Sequence, residues 1–436
     1  MSECVSDQWH RIRLRFLARL NPSKTEIAEV DRATEVTFLP MEAIDENGGL
    51  DLSQTRAIAD VENGYTYLRN GDVAYAKITP CFENGKAAEM TGLTAGIAFG
   101  TTELTVLRPR PGLAHGRFLF WLIKSPEFSV SGEATMTGAG GQKRVPDAFT
   151  RDFEISCPPL PEQQAIAAFL DRETAKLDAL VKEQRRLIAL LKEKRQAVIS
   201  HAVTKGLDPK APLKPSGIDW LGDIPAHWEI TRLKRVSPEI TVGIVVEPSK
   251  YYVDEGVPAL RSLNVRAGRI EQENLVFIGK DANETLVKSK LYAGDLVAVR
   301  TGQPGTCAVV PAELDGCNCI DLLIIRQSEA FDSDYLCWFM SSDVSLRQFA
   351  EGSGGAIQQH FNVSMAQHFV VAMPSLEEQA QILAFLSEEA RKFDALTAEA
   401  TRAIALLQER RAALISAAVT GKIDVRGILM DKEEAA

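Results

Sequence analysis

The sequence predicts a mixed α/β (α+β) protein of two pseudo-repeated domains joined by two long antiparallel coiled-coil helices. Three observations predict it: an internal duplication, a run of helix formers free of proline and glycine in each copy, and short strand-like runs between turn signals ahead of each copy. Leu160–Thr204 lies over Leu376–Thr420 at a shift of 216 residues without a gap, and 26 of the 45 positions are identical. Two copies at so long a period exclude a solenoid, which stacks several short repeats.

Residues 1–157 form the first variable half. Strand-like runs at Val36–Leu39, Val73–Ala76 and Leu104–Leu107 alternate with turn signals such as Asn47-Gly48-Gly49 and Arg69-Asn70-Gly71. Phe118–Ile123 reads as a short helix packed by its aromatics. Residues 158–206 form the first constant segment. Pro158, Pro159 and Pro161 mark its start, Gly206 marks its end, and Ala, Leu, Glu, Lys, Arg and Gln dominate between them. About 42 residues at 1.5 Å each make a rod of roughly 60 Å. One heptad register places Leu170, Leu177, Leu191 and Val198 at one seam position and Leu180 and Leu187 at the other. An apolar stripe of that length needs a partner helix, and the second copy supplies one. Its matching residues are Leu386, Phe393, Leu396, Leu407 and Leu414.

Residues 207–227, rich in proline and glycine, read as an extended linker. The second variable half, 228–372, carries strand-like runs at Leu296–Val299 and Leu322–Ile325 and a short helix at Tyr335–Ser341. It echoes the first half faintly. Trp228, Arg232 and Leu233 match Trp9, Arg13 and Leu14, and the Gly294–Arg300 stretch matches Gly71–Lys77. Residues 373–425 are the second constant segment and 426–436 a tail. The first halves of both helices lean acidic (Asp171, Glu173, Asp178; Glu388, Glu389, Asp394) and the second halves basic (Arg185, Arg186, Lys192; Arg410, Arg411). Antiparallel packing sets opposite charges side by side.

Hydrophobic residues make up 45% and charged residues 25% of the 436, which excludes wholesale disorder. No window approaches 18 consecutive apolar residues, and Met1–Arg19 is too polar for a secretory signal. Seven cysteines, an odd number without a CxxC pair, suit reduced thiols in a cytoplasmic protein. The formal net charge is −10, and both variable halves are acidic. A protein that grips nucleic acid alone usually carries a basic excess, so DNA binding here calls for local basic groups or a partner's surface.

Catalytic chemistry is not apparent. Gly138-Ala139-Gly140-Gly141-Gln142-Lys143-Arg144 has the glycines and lysine of a phosphate loop, but no Ser or Thr follows that lysine. The six histidines are scattered, without HExxH or zinc-like spacing, so no metal ligands are predicted. Glu162 and Glu378 fall at helix starts, where the helix dipole accounts for them. Two pairs of corresponding loops suit polynucleotide binding instead. Thr137–Val145, with Lys143 and Arg144, corresponds to Gly352–His360, with Gln358, Gln359 and His360. Lys77-Ile78-Thr79-Pro80 corresponds to Arg300-Thr301-Gly302-Gln303. Glycines let a backbone approach phosphates, while Arg, Lys and Gln reach phosphates and base edges. Lys77, Lys143, Arg144, Arg300, Gln303, Gln358, Gln359 and His360 are therefore the candidate DNA-binding residues.

The constant segments resemble those of a known family. Pro159-Leu160-Pro161-Glu162-Gln163-Gln164, with Phe169-Leu170 and a helix closing in Ala202-Val203-Thr204-Lys205-Gly206, is similar to the first conserved region of type I restriction-modification specificity subunits. Pro374-Ser375-Leu376-Glu377-Glu378-Gln379 through Val419-Thr420-Gly421-Lys422 is similar to the second. Trp220-Leu221-Gly222-Asp223-Ile224-Pro225 with Trp228 resembles the usual lead into a target recognition domain.

The resemblance implies a non-catalytic subunit in which each target recognition domain reads half of a bipartite, asymmetric sequence in double-stranded DNA. It also implies that the paired helices space the half-sites and dock two modification (adenine methyltransferase) subunits, with restriction (translocase/nuclease) subunits joining them. The chain then binds no cofactor; S-adenosylmethionine, ATP and Mg belong to the partners. The rival readings are a coiled-coil scaffold that never touches DNA and a nuclease with an unrecognised site.

Overall fold

The computed structural model describes residues 9–352 and 360–425. It divides into two compact units. One gathers the residues up to Arg185 with those from Arg402 onward; the other is Arg186–Thr401. The first unit therefore takes the first part of one long helix and the last part of the other, and the second unit takes the complementary parts. The helices run Leu160–Lys205 and Leu376–Val419, within a few residues of their expected limits.

Each unit repeats one topology. In the first, a four-stranded antiparallel sheet has the order Ala18–Leu20, Leu104–Pro109, Val73–Ala76, Ala87–Glu89; in the second it is Ile240–Val242, Leu322–Ile325, Leu296–Val299, Cys307–Val309. The two central strands pair so that Ala76 faces Leu104 and Val299 faces Leu322. Their side chains are buried on both faces, which is why they read as unbroken apolar runs rather than alternating ones. Each unit has a second four-stranded sheet with one parallel pairing: Glu35–Leu39 beside Ile97–Gly100, and Val257–Leu260 beside Asn318–Cys319. A two-stranded ribbon closes each domain at the root of its long helix. His10–Arg13 pairs with Glu154–Cys157, and Glu229–Arg232 with Val370–Met373.

The short aromatic helices, Gly116–Ile123 and Ser333–Met340, carry the cores. Phe118, Leu119 and Trp121 pack with Trp9, Leu170, Ala418 and Val419 in the first unit. Tyr335, Leu336 and Phe339 pack with Trp228, Ala202, Val203 and Leu386 in the second. The matching tryptophans, Trp9 and Trp228, are thus the same core position used twice.

Two sequence expectations change. The segment 207–227 is not an extended spacer: Leu213–Pro215 and Asp223–Pro225 pair as a small antiparallel ribbon, and Leu221 and Ile224 enter the second unit's core. Its prolines sit on ribbon ends and turns, where a missing N–H costs nothing. The helix seam also shifts. Leu170, Leu177, Leu386 and Phe393 are buried and Leu191, Val198, Leu407 and Leu414 half-buried, but Leu180, Leu187 and Leu396 are 50, 43 and 53% exposed. The second seam row falls one residue later, on Thr174, Val181, Ile188 and Ala202, and on Ile404 and Ala418 in the other helix. The smallest members, Thr174, Ala202 and Ala418, are also the most deeply buried, and Ala418 and Ala202 lie in the aromatic cores of the first and second units; Leu180, Leu187 and Leu396 turn outward.

The antiparallel charge pairing holds within each unit. Asp178 meets Arg411 at 3.0 Å in the first, and Arg195 meets Asp394 at 2.7 Å in the second. These are the same two repeat positions used reciprocally.

Candidate nucleic-acid interface

The root of each long helix is fixed by two side chains the repeat preserves. Gln163 is fully buried; its Oε1 accepts from the His115 N–H (2.9 Å) and its Nε2 donates to the carbonyls of Pro158 and Leu113 (both 3.0 Å). Gln379 repeats this, accepting from the Asp332 N–H (2.8 Å) and donating to the Pro374 carbonyl (3.0 Å). His115 and Asp332 each immediately precede an aromatic helix, so the glutamine staples that helix to the long one. The adjacent glutamates do more than favour a helix dipole. Glu162 accepts from the Trp9 indole N–H at 3.2 Å, and Glu378 meets the His227 ring at 2.8 Å.

Below each central sheet sits a buried ion pair. Arg108 donates to both oxygens of Asp72 (2.6 and 2.8 Å) and also contacts Glu26, while its guanidinium stacks over the Tyr67 ring. In the second unit Arg326 pairs with Asp295 at 2.5 Å and stacks over Tyr292. Asp72 and Asp295 each accept a backbone N–H three residues upstream, from Arg69 and Tyr292 (both 2.9 Å). This explains the recurring Gly-Asp before the central strand: glycine takes the left-handed turn (φ +86° at Gly71, +89° at Gly294) and aspartate closes it.

With sheet and helix fixed, the strand ends converge on the predicted loops. In the first unit the Val145 N–H donates to the Lys77 carbonyl (2.9 Å) and the Thr79 N–H to the Lys143 carbonyl (3.0 Å), while Ile78 bridges Arg144. In the second the Phe361 N–H donates to the Arg300 carbonyl (2.9 Å), and Thr301 bridges His360. The two predicted loops therefore meet in each unit, by the same backbone contact. Gly138 makes the tight return possible: a Cβ there would lie 2.3 Å from the Gln142 carbonyl oxygen.

The side chains are less free than their types suggest. Arg144 makes a two-pronged pair with Glu103 (2.8 and 2.8 Å), which holds that carboxyl below its ordinary value. Arg300 pairs with Asp321 (2.5 Å) and donates to His360 Nε2 (2.6 Å). Arginine can only donate, so Nε2 accepts and the ring proton sits on Nδ1, which donates to Thr301 Oγ1 (2.8 Å). Lys143 and Gln303 are exposed and Lys77 is half-buried beside Glu103. Gln358 and Gln359 lie outside the described residues.

Glu103 and Asp321 were not among the sequence candidates. Each immediately precedes the second central strand, and that shared offset was the available signal. A second concentration of positive charge lines a cleft of about 590 Å³ in the first unit, where Lys86, Lys124, Lys182, Arg185 and Arg411 outnumber Glu83 and Asp178. Burial and the neighbouring Arg411 push Lys124 down to about 8. Among the described residues no group of His, Cys, Asp and Glu could hold a metal ion, and no helix is long and apolar enough to cross a membrane.

Each of the two similar units thus presents a loop cluster at one sheet end, built from different side chains. The family model for the type I restriction modification DNA specificity domain matches residues 62–189. The type I restriction enzyme EcoAI specificity subunit of Escherichia coli is 44% identical over 163 residues, 37% of this chain and 27% of that one. The EcoEI subunit is 39% identical over 180 residues, 41% and 30%. These matches span under a third of the length of either relative. The MjaVIII specificity subunit of Methanocaldococcus jannaschii is 23% identical over 71% of each chain. A chain solved in work on complex assembly and conformational transition of the type I R-M system shares the fold at a TM-score of 0.76 and 17% identity, covering 95% of this chain and 98% of that one. The HsdS subunit from Thermoanaerobacter tengcongensis does so at 0.55 and 18%, covering 95% and 97%. The chain is thus similar to type I restriction enzyme specificity subunits, at higher identity over part of its length and in fold over nearly all of it.

Proposed function

We propose that this chain is the DNA-reading, non-catalytic subunit of a type I restriction-modification complex in the cytoplasm. The loop cluster of each unit reads one half of a bipartite, asymmetric target in duplex DNA. One observation carries the reading. The same strand-end cluster is built once in each unit from different side chains, Lys77, Lys143 and Arg144 against Arg300, Gln303 and His360, which gives two readers of unlike chemistry.

The long helices space the half-sites and dock two modification subunits. Leu180 and Leu406 in the first unit, and Leu187, Leu190 and Leu396 in the second, are at least 43% exposed and supply apolar docking surface. The partners bring S-adenosylmethionine, ATP and Mg; the modification subunits methylate adenine at N6, and restriction subunits translocate and cut. Their basic surface supplements that of an acidic chain.

The test is reconstitution. Alone, the purified chain is expected to bind no S-adenosylmethionine and neither methylate nor cut duplex DNA; with modification subunits it directs adenine methylation to a split target. Leu180→Gln with Leu396→Gln should weaken co-purification of those subunits without lowering the melting temperature. Methylation or cleavage by the isolated chain would overturn the reading.

A further inference from the structure

The two reading clusters share a device that their loop sequences hide. In each, one carboxylate at the start of the second central strand holds one guanidinium: Glu103 holds Arg144, and Asp321 holds Arg300. The arginine comes from a different arm in each unit, from the returning loop in the first and from the end of the neighbouring strand in the second. What recurs is a carboxylate on a guanidinium, not a particular tie between two segments.

A purely structural staple does not explain the second unit. Arg300 directly follows Val299, which already pairs with Leu322 next to Asp321, so that ion pair joins strand ends the sheet has joined. In the first unit the loop is likewise held by backbone bonds from Val145 and Thr79. Neither pair is sealed from water: Arg144 is 41% and Asp321 52% exposed. A carboxylate offers a guanidinium the same two-oxygen fork as a phosphate.

Resting on the DNA-reading proposal, we propose that Glu103 and Asp321 are specificity-determining residues that compete internally with DNA phosphate. Each withholds one arginine from non-target backbone and releases it only where the rest of the loop cluster fits the bases. In the second unit release also requires the His360 ring to give up its contact with Arg300.

The experiment uses the full chain assembled with its modification subunits and a random-sequence DNA duplex, with affinity measured across about 50–200 mM salt. Glu103→Gln, and separately Asp321→Asn, should bind this duplex more tightly at low salt. Each should show a log–log salt slope steeper by about one, so that it loses roughly threefold more affinity than the natural chain over that range. Discrimination between target and random DNA should fall accordingly. The double variants Glu103→Gln with Arg144→Gln, and Asp321→Asn with Arg300→Gln, should return to the natural slope, which a misfolded loop would not do. Slopes in both single variants equal to or shallower than the natural one overturn the clamp while leaving DNA reading intact. If the natural assembly itself fails to bind or discriminate DNA, the functional proposal falls first.

Discussion

Arg108→Ala is expected to destabilise the first unit by about 3–5 kcal/mol, the cost of stranding a buried charge. Asp72 has no exposed side-chain surface and Arg108 only 6%, so the substitution leaves a carboxylate with no water to replace its partner. Glu26 loses a contact and the Tyr67 ring its stacked cation as well. Removing both charges together, as Arg108→Met with Asp72→Asn, should recover part of the loss, because asparagine still accepts the Arg69 N–H while no buried charge is left stranded. Arg19→Ala breaks an exposed bridge to the same Glu26 and should cost under about 1 kcal/mol. Urea unfolding followed by circular dichroism measures all three. An Arg108→Ala chain as stable as Arg19→Ala would show that the buried pair is not what anchors the sheet. A chain of two compact units need not unfold in a single step, so the expected signature is a downward shift of one transition rather than of the whole curve.

Inserting four residues within Leu187–Leu191 should lengthen the unread spacer of the DNA target by roughly one or two base pairs. Four residues advance a helix by about 6 Å, and DNA rises about 3.4 Å per base pair along a strand. The insertion rotates later residues by about 40°, and a heptad stripe tolerates that drift in weakened form. Both half-sites should stay unchanged, because no reading loop is touched. Sequencing of methylated adenines in cells carrying the insertion gives the answer. An active assembly that keeps the original spacer would show that the helices are not the ruler.

The sequence revealed the repeat, the long helices and most of the central strands, because each rests on local regularities. Val73–Ala76, Leu296–Val299 and Leu322–Ile325 are strands at the expected residues, since buried strands announce themselves as apolar runs bounded by turns. The antiparallel pairing was legible from charge because Asp178 and Asp394 must find Arg411 and Arg195. The seam register was not. Choosing between rows three and four residues apart depends on what each row meets, and Ala418 and Ala202 meet the aromatic cores of their own units, which the repeat alone does not place. Hydrophobicity favoured Leu180 and Leu187, but they are exposed.

The candidate site was half legible. Recurrence located the loops, and the fold joins them through the Val145 and Phe361 amides. It could not show that Arg144 and Arg300 are already engaged, because Glu103 lies 41 residues from Arg144 in sequence and only strand pairing brings them together. The buried glutamines were visible as identities, but their role depends on meeting His115 and Asp332, which the sequence alone does not place.

On the proposed function, each unit is expected to read its own half of one target. This expectation is tested most directly by mapping methylated adenines in cells whose only specificity subunit is this chain, carrying Lys143→Ala or Gln303→Ala. The natural chain should yield a single split, asymmetric motif. Lys143→Ala should relax or weaken one half only and Gln303→Ala the other half only, with a lost base contact worth about 1–3 kcal/mol of discrimination. A contiguous motif, or substitutions that alter both halves together, would contradict it.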